Sequence, residues 1–268
     1  MGTLPWAAVG TGAPVLLLPG LTPVTGVAGD RTVRTMLAPV EDLSLDRRVF
    51  VVNRRPGLPS DLTMSELAAE YADALRSSFP EPVDVVGLST GGSIAQQLAA
   101  GHPDVVRRLV LLSTACRLGT VGREVQTAVA DRLRSGDRRG AAATAAAALL
   151  PSAGRVAAGV GWLFGPSIFR TPDACADLVA TIDAEDGFDL AGCPRPIEAT
   201  TLIIGGARDR FYSPELFQET HALIPNSQLA LLPTRGHTGV ARDRRALAQL
   251  AGFLNFESTG PDEPDRTT

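Results

Sequence analysis

The stretch Val83-Asp84-Val85-Val86-Gly87-Leu88-Ser89-Thr90-Gly91-Gly92 decides the fold, because it joins an apolar run to a serine between glycines. Residues 93–100, which follow it, have the composition of a helix. The pattern predicts a strand, a sharp turn at Ser89 and a helix, with the serine strained and its hydroxyl held above the sheet edge. Because Gly-x-Ser-x-Gly also recurs by chance, the alternative is a glycine-rich strand–helix turn with a capping serine.

A nucleophilic serine needs a base, and the chain has three histidines. His237 lies in a glycine-flanked loop, Arg-Gly-His-Thr-Gly, directly after the apolar run at residues 228–232. His102 is expected at the end of the helix after Ser89, and His221 falls in a helix-like stretch, so both are expected on the surface. We therefore predict that His237 is the base, with an ordinary loop histidine as the alternative.

The imidazole also needs an acid to fix its tautomer. Asp209 follows the buried-type strand at residues 201–205 and a glycine-rich loop. Three other aspartates compete on composition, but none follows a strand end: Asp186, Asp189 and Asp243. The alternative role for Asp209 is a salt bridge with a neighbouring arginine or a helix N-cap. The order Ser89, Asp209, His237 is that of a serine–acid–histidine hydrolase.

With these three motifs in this order, the chain resembles the α/β-hydrolase family from about Leu4 to Phe256, as a capped serine hydrolase. The resemblance implies that the backbone N–H groups of Leu21 and Thr90 form the oxyanion hole. It also implies a mostly parallel sheet with helices on both faces and an all-helical cap. The sequence departs from the family pattern at Pro19, where many relatives have histidine, and at residues 53–59, after the next strand.

Short apolar strands alternate with helical patterns over most of the chain, which favours an α/β fold with a parallel sheet. Residues 4–9 and 15–18 are expected to form an antiparallel hairpin. We predict a hydrolase core at residues 1–114 and 197–256, a helical cap at residues 115–196 and a disordered tail at residues 257–268. Four helices are expected in the cap: residues 122–133, 137–150, 152–164 and 172–184.

The larger apolar residues of the predicted cap are candidates for a substrate pocket. Trp162, Phe164 and Phe169 are the tentative substrate-binding residues, with Leu163 and Ile168 beside them. The alternative, that they form the cap's own small core, is equally compatible with the sequence. A pocket of this kind would suit an apolar acyl or alcohol group.

Composition excludes several functional classes. The net charge of −4 gives no electrostatic footprint for nucleic acid, and three scattered cysteines match neither disulfide nor metal spacing. We expect no cofactor, no metal and no membrane partner. The first residues lack the pattern of a signal peptide, so a cytoplasmic location is expected. The oligomeric state is left open.

The predicted serine, histidine, aspartate and oxyanion hole together indicate an acyl-enzyme mechanism. Three functions are compatible with the sequence. The first is hydrolysis of a small, largely apolar ester, thioester or lactone. The second uses the same residues for C–C bond hydrolysis or cofactor-free perhydrolysis. In that case Arg54 and Arg55 are candidate ligands for a substrate carboxylate; the alternative is that they are a solvated pair in a loop. The third is a non-catalytic small-molecule receptor, which a complete set of three residues argues against.

Overall fold

The computed structural model describes residues 1–2 and 4–255. It contains a seven-stranded sheet in the order β1-β3-β2-β4-β5-β6-β7, in which β1 is antiparallel to β3 and all other pairs are parallel. The strands are β1 (Trp6–Val9), β2 (Ala13–Leu18), β3 (Arg47–Val52), β4 (Val83–Leu88), β5 (Val106–Leu112), β6 (Thr200–Gly206) and β7 (Ser227–Leu232). The predicted tail at residues 257–268 and Phe256 lie outside the described residues.

Helices cover both faces of the sheet, as the α/β pattern predicts. On one face the core contains residues of α2 (Met64–Ser78), α3 (Thr90–Gly101) and α8 (Pro214–Leu223). On the other face it contains residues of α1 (Asp30–Leu37), α9 (His237–Val240) and α10 (Arg244–Asn255). The central strands are buried on both faces, which explains why they read as continuous apolar runs rather than alternating ones.

The predicted hairpin between the first two strands is wrong. β1 pairs with β3, from Trp6 opposite Val52 to Val9 opposite Val49, so β3 lies between β1 and β2. The link between β1 and β2 contains Gly10, whose φ is +82° and whose missing Cβ would lie 2.3 Å from the Ser44 carbonyl oxygen. Backbone approaching this closely leaves no room for a side chain, which explains the glycine.

Between β5 and β6 the regular elements are helices. These are α4 (Thr120–Arg134), α5 (Arg138–Leu149), α6 (Gly154–Ile168) and α7 (Pro172–Asp186), with short 3₁₀ turns at Pro151–Ala153 and Leu190–Gly192. A separate apolar cluster joins α4, α5 and α7 through side chains that include Val129, Leu178 and Ile182. The boundaries of the cap at residues 115 and 196 remain predictions.

Candidate active site

Ser89 stands at the sharp turn between β4 and α3, with φ of 50° and ψ of −122°. The two glycines of the motif make this turn possible. A Cβ on Gly87 would lie 2.6 Å from the Gly92 Cα, and a Cβ on Gly91 would lie 2.1 Å from the Leu18 carbonyl oxygen. Both contacts are too short for any side chain, so the close packing of β4, α3 and β2 requires glycine at these positions.

The structure brings the three residues predicted from sequence into one hydrogen-bonded chain. Ser89 Oγ lies 3.0 Å from His237 Nε2, and His237 Nδ1 lies 2.8 Å from Asp209 Oδ2. The contacts imply that Nδ1 carries a proton and donates a hydrogen bond to the carboxylate, which leaves Nε2 free to accept the serine proton. The arrangement has the geometry of a nucleophile, a base and an orienting acid.

Asp209 and His237 are themselves held by the protein. The second oxygen of Asp209, Oδ1, accepts hydrogen bonds from the backbone N–H groups of Phe211 (2.8 Å) and Tyr212 (3.2 Å). The Phe211 ring stacks on the imidazole of His237 with 4.6 Å between ring centroids. The Ser113 hydroxyl donates to the His237 carbonyl at 2.9 Å. These contacts fix both groups before substrate arrives.

The other two histidines lie elsewhere. His102 Nδ1 is 3.3 Å from Arg76, and burial together with this arginine lowers the pKa of His102. His221 Nδ1 is 2.7 Å from the Ser227 hydroxyl on an exposed part of the surface. Neither contacts Ser89 among the described hydrogen bonds, whereas His237 does.

The aspartates that competed with Asp209 are engaged by arginines. The pairs are Asp186 with Arg123 at 3.2 Å, Asp189 with Arg117 at 3.7 Å and Asp243 with Arg235 at 2.7 Å. Over residues 4–255, the carboxylate of Asp209 makes no ion pair with an arginine, and the side chain that it contacts is the imidazole of His237. The alternative of an ordinary Asp209 salt bridge with Arg208 or Arg210 therefore does not describe this structure.

Leu21 and Thr90 flank the serine, as the family resemblance implies. Leu21 lines the cavity next to Gly20, whose missing Cβ would lie 3.3 Å from the Ser89 Cβ. Thr90 is the first residue of α3, where backbone N–H groups have no partner within the helix. Both N–H groups are therefore candidates for stabilising a developing oxyanion, a role that the structure leaves as a proposal.

The loop that carries Leu21 is anchored by the segment that departs from the family pattern. The Asn53 amide donates to the carbonyls of Val24 (3.1 Å) and Gly26 (2.8 Å). The Arg54 guanidinium donates to the Thr22 carbonyl at 2.6 Å. Burial lowers the pKa of Arg54 to about 10, because desolvation disfavours the charged form.

The arginine doublet is therefore not a solvated pair. Arg54 is buried against the Thr22 loop, and Arg55 binds both oxygens of Glu70 through its Nε, at 3.1 and 3.0 Å. Neither arginine lines the cavity that contains Ser89. Each arginine is thus held by a contact within the protein, and neither is placed to bind a substrate carboxylate.

A buried carboxylate that the sequence analysis did not single out links the parts of this site. Glu185 of α7 is fully buried and accepts four side-chain hydrogen bonds. Thr90 Oγ1 (2.7 Å) and Ser93 Oγ (2.9 Å) donate from the turn of α3, and Gln126 Nε2 (2.9 Å) donates from α4. The Tyr212 hydroxyl lies 3.3 Å from the same carboxylate, beside the loop that carries the acid. Burial raises the pKa of Tyr212 well above its usual value, and the nearby carboxylate adds to this, so the phenol stays protonated and donates.

Glu185 carried no usable signal in the sequence. It lies within Asp-Ala-Glu-Asp, where acidic residues at a helix end are ordinarily exposed. Only the meeting of α3, α4 and α7 with the acid loop places donors around it.

Ser89 and His237 open onto a cavity of about 530 Å³. Most of its walls are apolar and come from Leu21, from α4 and α5, and from Ile168 and Phe169 at the end of α6. Phe169 is buried, and it both lines this cavity and belongs to the apolar cluster that joins α4, α5 and α7.

Trp162 and Phe164 do not line the cavity, so this part of the predicted pocket is wrong. Both side chains are more than half exposed, and the Trp162 ring lies under the Arg139 guanidinium at 4.5 Å. The reason is that Gly161 and Gly165 occupy the buried side of α6, where α5 approaches too closely for a larger side chain. The side chains of Trp162 and Phe164, next to these glycines, therefore point outward and line neither a pocket nor a core.

No group of three or more histidine, cysteine, aspartate or glutamate side chains in residues 1–2 and 4–255 is placed to hold a metal ion. Within the same residues, no single helix is long and apolar enough to span a bilayer. The pair formed by Arg138–Leu149 and Pro151–Ile168 reaches that length and composition, but it is bent by 114°.

Comparison with known proteins agrees with the fold. A family model described as "Alpha/beta hydrolase family" matches residues 15–250. A pimeloyl-[acyl-carrier protein] methyl ester esterase of Neisseria meningitidis is 28% identical over 74% of this chain and 64% of its own length, just under two thirds. BpoC of Mycobacterium tuberculosis, provisionally named a non-heme bromoperoxidase, is 29% identical over 86% of this chain and 88% of its own length.

A solved structure shows the same architecture at lower sequence identity. The enol-lactonase from Burkholderia xenovorans LB400 superposes with a TM-score of 0.73 at 22% identity, covering 94% of this chain and 96% of that one. At this identity the likeness concerns the fold alone. With the family model matching most of its length, the chain belongs to the alpha/beta hydrolase family, and it is a hydrolase.

Proposed function

We propose that this protein is a serine esterase that cleaves a small, largely apolar ester, thioester or lactone through an acyl-enzyme. The observation that carries the proposal is the chain Ser89 Oγ–His237 Nε2–Asp209, with spacings of 3.0 and 2.8 Å, at the wall of an apolar cavity. Similarity to a methyl ester esterase over 74% of the chain supports the same reaction class.

In the proposed reaction, Ser89 Oγ attacks the substrate carbonyl carbon as His237 Nε2 takes the hydroxyl proton. The negative charge moves to the carbonyl oxygen, where the N–H groups of Leu21 and Thr90 stabilise it; one such donor is worth about 3–4 kcal/mol. Collapse of this intermediate breaks the bond to the leaving oxygen or sulfur, which receives the proton from His237. Water then attacks the acyl-enzyme with His237 again as base and restores the free serine.

The cavity supports an apolar substrate. Apolar side chains dominate its walls, and its size suits a small acyl or alcohol group. Apart from Ser89 and His237, its polar lining residues are Thr22, Thr35, Gln126, Thr238 and Arg242. We therefore propose that affinity depends mainly on apolar burial, with the reacting carbonyl oriented by the residues around Ser89.

Perhydrolysis is the second candidate, and the similarity to BpoC over 86% of the chain favours it. Hydrogen peroxide in place of water would convert the same acyl-enzyme to a peracid and free serine. C–C hydrolysis of an acidic substrate is less favoured, because Arg54 and Arg55 are engaged by Thr22 and Glu70. A receptor role finds no specific support in the site.

We also propose a cytoplasmic location. Cys116, Cys175 and Cys193 are free thiols, which a reducing compartment maintains. None of the three lines the cavity that contains Ser89, and burial raises the pKa of each thiol, so the proposed reaction uses none of them.

The test is steady-state hydrolysis of p-nitrophenyl esters from acetate to octanoate, with Ser89→Ala as the blank. We expect kcat/KM to rise with acyl length until the cavity is filled. Phe169→Ala should raise KM for the longer esters and leave the acetate nearly unchanged, because uniform binding is lost. Trp162→Ala, outside the cavity, is the matched control.

Two outcomes would change the assignment. Turnover that is unaffected by Ser89→Ala would contradict the esterase proposal. Peracid formation from acetate and hydrogen peroxide at a rate above ester hydrolysis would favour the second candidate instead.

A further inference from the structure

Helix α6 has small residues on its buried side and large apolar residues on its exposed side, which is the reverse of a helix on the surface of a water-soluble protein. Its buried side is formed by small residues four apart, Ala157, Gly161 and Gly165. A Cβ on Gly161 would lie 2.5 Å from the Ala142 carbonyl oxygen, and one on Gly165 would lie 2.7 Å from the Arg138 carbonyl oxygen. The backbones of α5 and α6 are thus in close contact through their small residues.

The outward side of α6 bears the helix's large apolar residues. Val156 is 71% exposed and Leu163 is 60% exposed, and Val160 and Phe164 are each more than half exposed. These four residues, with spacings of three and four along the helix, form one continuous strip, here called the α6 strip. Small residues against a neighbouring helix and large apolar ones outward are the arrangement that helices adopt against lipid.

The charges around the strip have one sign. Residues 138–172 contain neither aspartate nor glutamate, and their charged side chains are four arginines: Arg138, Arg139, Arg155 and Arg170. Within the described part of the chain neither these four arginines nor Arg195 form a salt bridge, whereas the remaining four arginines between β5 and β6 each form at least one: Arg117, Arg123, Arg132 and Arg134. Arg139 of α5 donates to the Trp162 carbonyl of α6, and Arg155 directly precedes Val156 in α6. Positive charge therefore lies beside the apolar strip in a chain of net charge −4.

We propose that the α6 strip docks on an anionic bilayer surface, with the four arginines at the level of the lipid phosphates. An apolar helix face flanked by arginines binds such surfaces, because apolar burial and attraction to anionic headgroups add. A second copy of the chain fits less well, since a twofold contact through this strip would bring the positive charges of both copies together. The proposal departs from the expectation of no membrane partner.

The docking surface adjoins the candidate active site, so the proposal also concerns the substrate and rests on the proposed esterase function. α5, which packs against α6, supplies Ala142, Ala145 and Ala146 to the cavity wall. Leu149, at the end of α5, both lines the cavity and is 40% exposed. An ester dissolved in the bilayer would have a short apolar route to Ser89. The inferred substrate class is therefore esters that partition into membranes.

The test is co-sedimentation of the full chain with vesicles of phosphatidylcholine alone and of phosphatidylcholine with about 30% phosphatidylglycerol. We expect binding to the anionic vesicles that falls with added salt. Val160→Gln/Leu163→Gln should weaken it at least tenfold, and Arg155→Gln by about fivefold. Leu45→Gln removes an equally apolar, 78% exposed residue outside the strip and should bind like the wild type.

Hydrolysis of p-nitrophenyl acetate without vesicles separates this proposal from the proposed function, since all of these variants should retain it. Binding that is absent from anionic vesicles, or unchanged by the double substitution, would overturn the docking proposal while leaving esterase activity intact. A wild-type dimer that the double substitution converts to a monomer, with no vesicle binding, would show that a second copy covers the strip instead.

Discussion

The replacement of Glu185 by leucine tests whether the buried carboxylate positions the active site. Leucine is close to glutamate in volume but has no polar atom, so the change removes the acceptor for Thr90, Ser93, Gln126 and Tyr212. The serine and threonine hydroxyls can turn toward other acceptors, so not all four donors lose their partners. Each buried donor left unpaired costs about 1–3 kcal/mol. We expect the free energy of unfolding to fall by about 3–5 kcal/mol in total.

The expected effect on catalysis comes from Thr90. Its hydroxyl is held by Glu185 at 2.7 Å, and its backbone N–H is a candidate oxyanion donor. Removing such a donor outright lowers kcat by about 10²–10³. Because the substitution only loosens Thr90, we expect kcat to fall by roughly 10- to 100-fold, with KM for p-nitrophenyl acetate within about twofold of wild type.

The assay combines thermal unfolding, which gives the folded fraction, with steady-state kinetics on p-nitrophenyl acetate. Glu185→Gln keeps the shape and one acceptor oxygen, and it should recover part of kcat. Glu219→Gln is the matched control, because Glu219 pairs with Arg117 on the surface, where such pairs contribute about 0–1 kcal/mol. A folded Glu185→Leu protein with wild-type kcat would refute the positioning role.

Two further substitutions test the geometry around Ser89. Asp209→Asn should lower kcat by about 10⁴, because the asparagine favours the wrong tautomer of His237. Asp243→Asn, the control, removes a partner of Arg235 and should leave kcat unchanged. Equal effects of the two substitutions would show that Asp209 has no part in the mechanism. Gly91→Ala should abolish folding or activity, because its Cβ would lie 2.1 Å from the Leu18 carbonyl oxygen. Gly252→Ala in α10, with nothing within 4 Å of its Cβ, should instead stabilise the fold by about 0.5–1 kcal/mol in thermal unfolding; a tolerated Gly91→Ala would contradict the close packing of the turn against β2.

Local chemistry made the strand, turn and helix at Ser89 predictable. Three valines, three glycines around Ser89 and a helix-forming stretch all lie within residues 83–100. Asp209 and His237 were predictable for the same reason, since each follows an apolar strand in its own short segment. Parallel pairing then brings the carboxyl ends of β4, β6 and β7 to one edge of the sheet.

Features that depend on distant segments were not predictable. β1 pairs with β3 and not with β2, its neighbour in sequence, so adjacency along the chain predicted the wrong partner. The outward direction of Trp162 and Phe164 depends on the close approach of α5 to Gly161 and Gly165. Glu185 acquires its donors only when helices from three parts of the chain meet.

The most direct test of the central claim is the site of covalent labelling by a fluorophosphonate. The probe should add once, with the modified peptide containing Ser89, and the rate should collapse in His237→Ala because the base is lost. Ser89→Ala should remain unlabelled while unfolding at nearly the same temperature as the wild type. Labelling of a different serine, with Ser89 unmodified in a folded and active protein, would contradict the account.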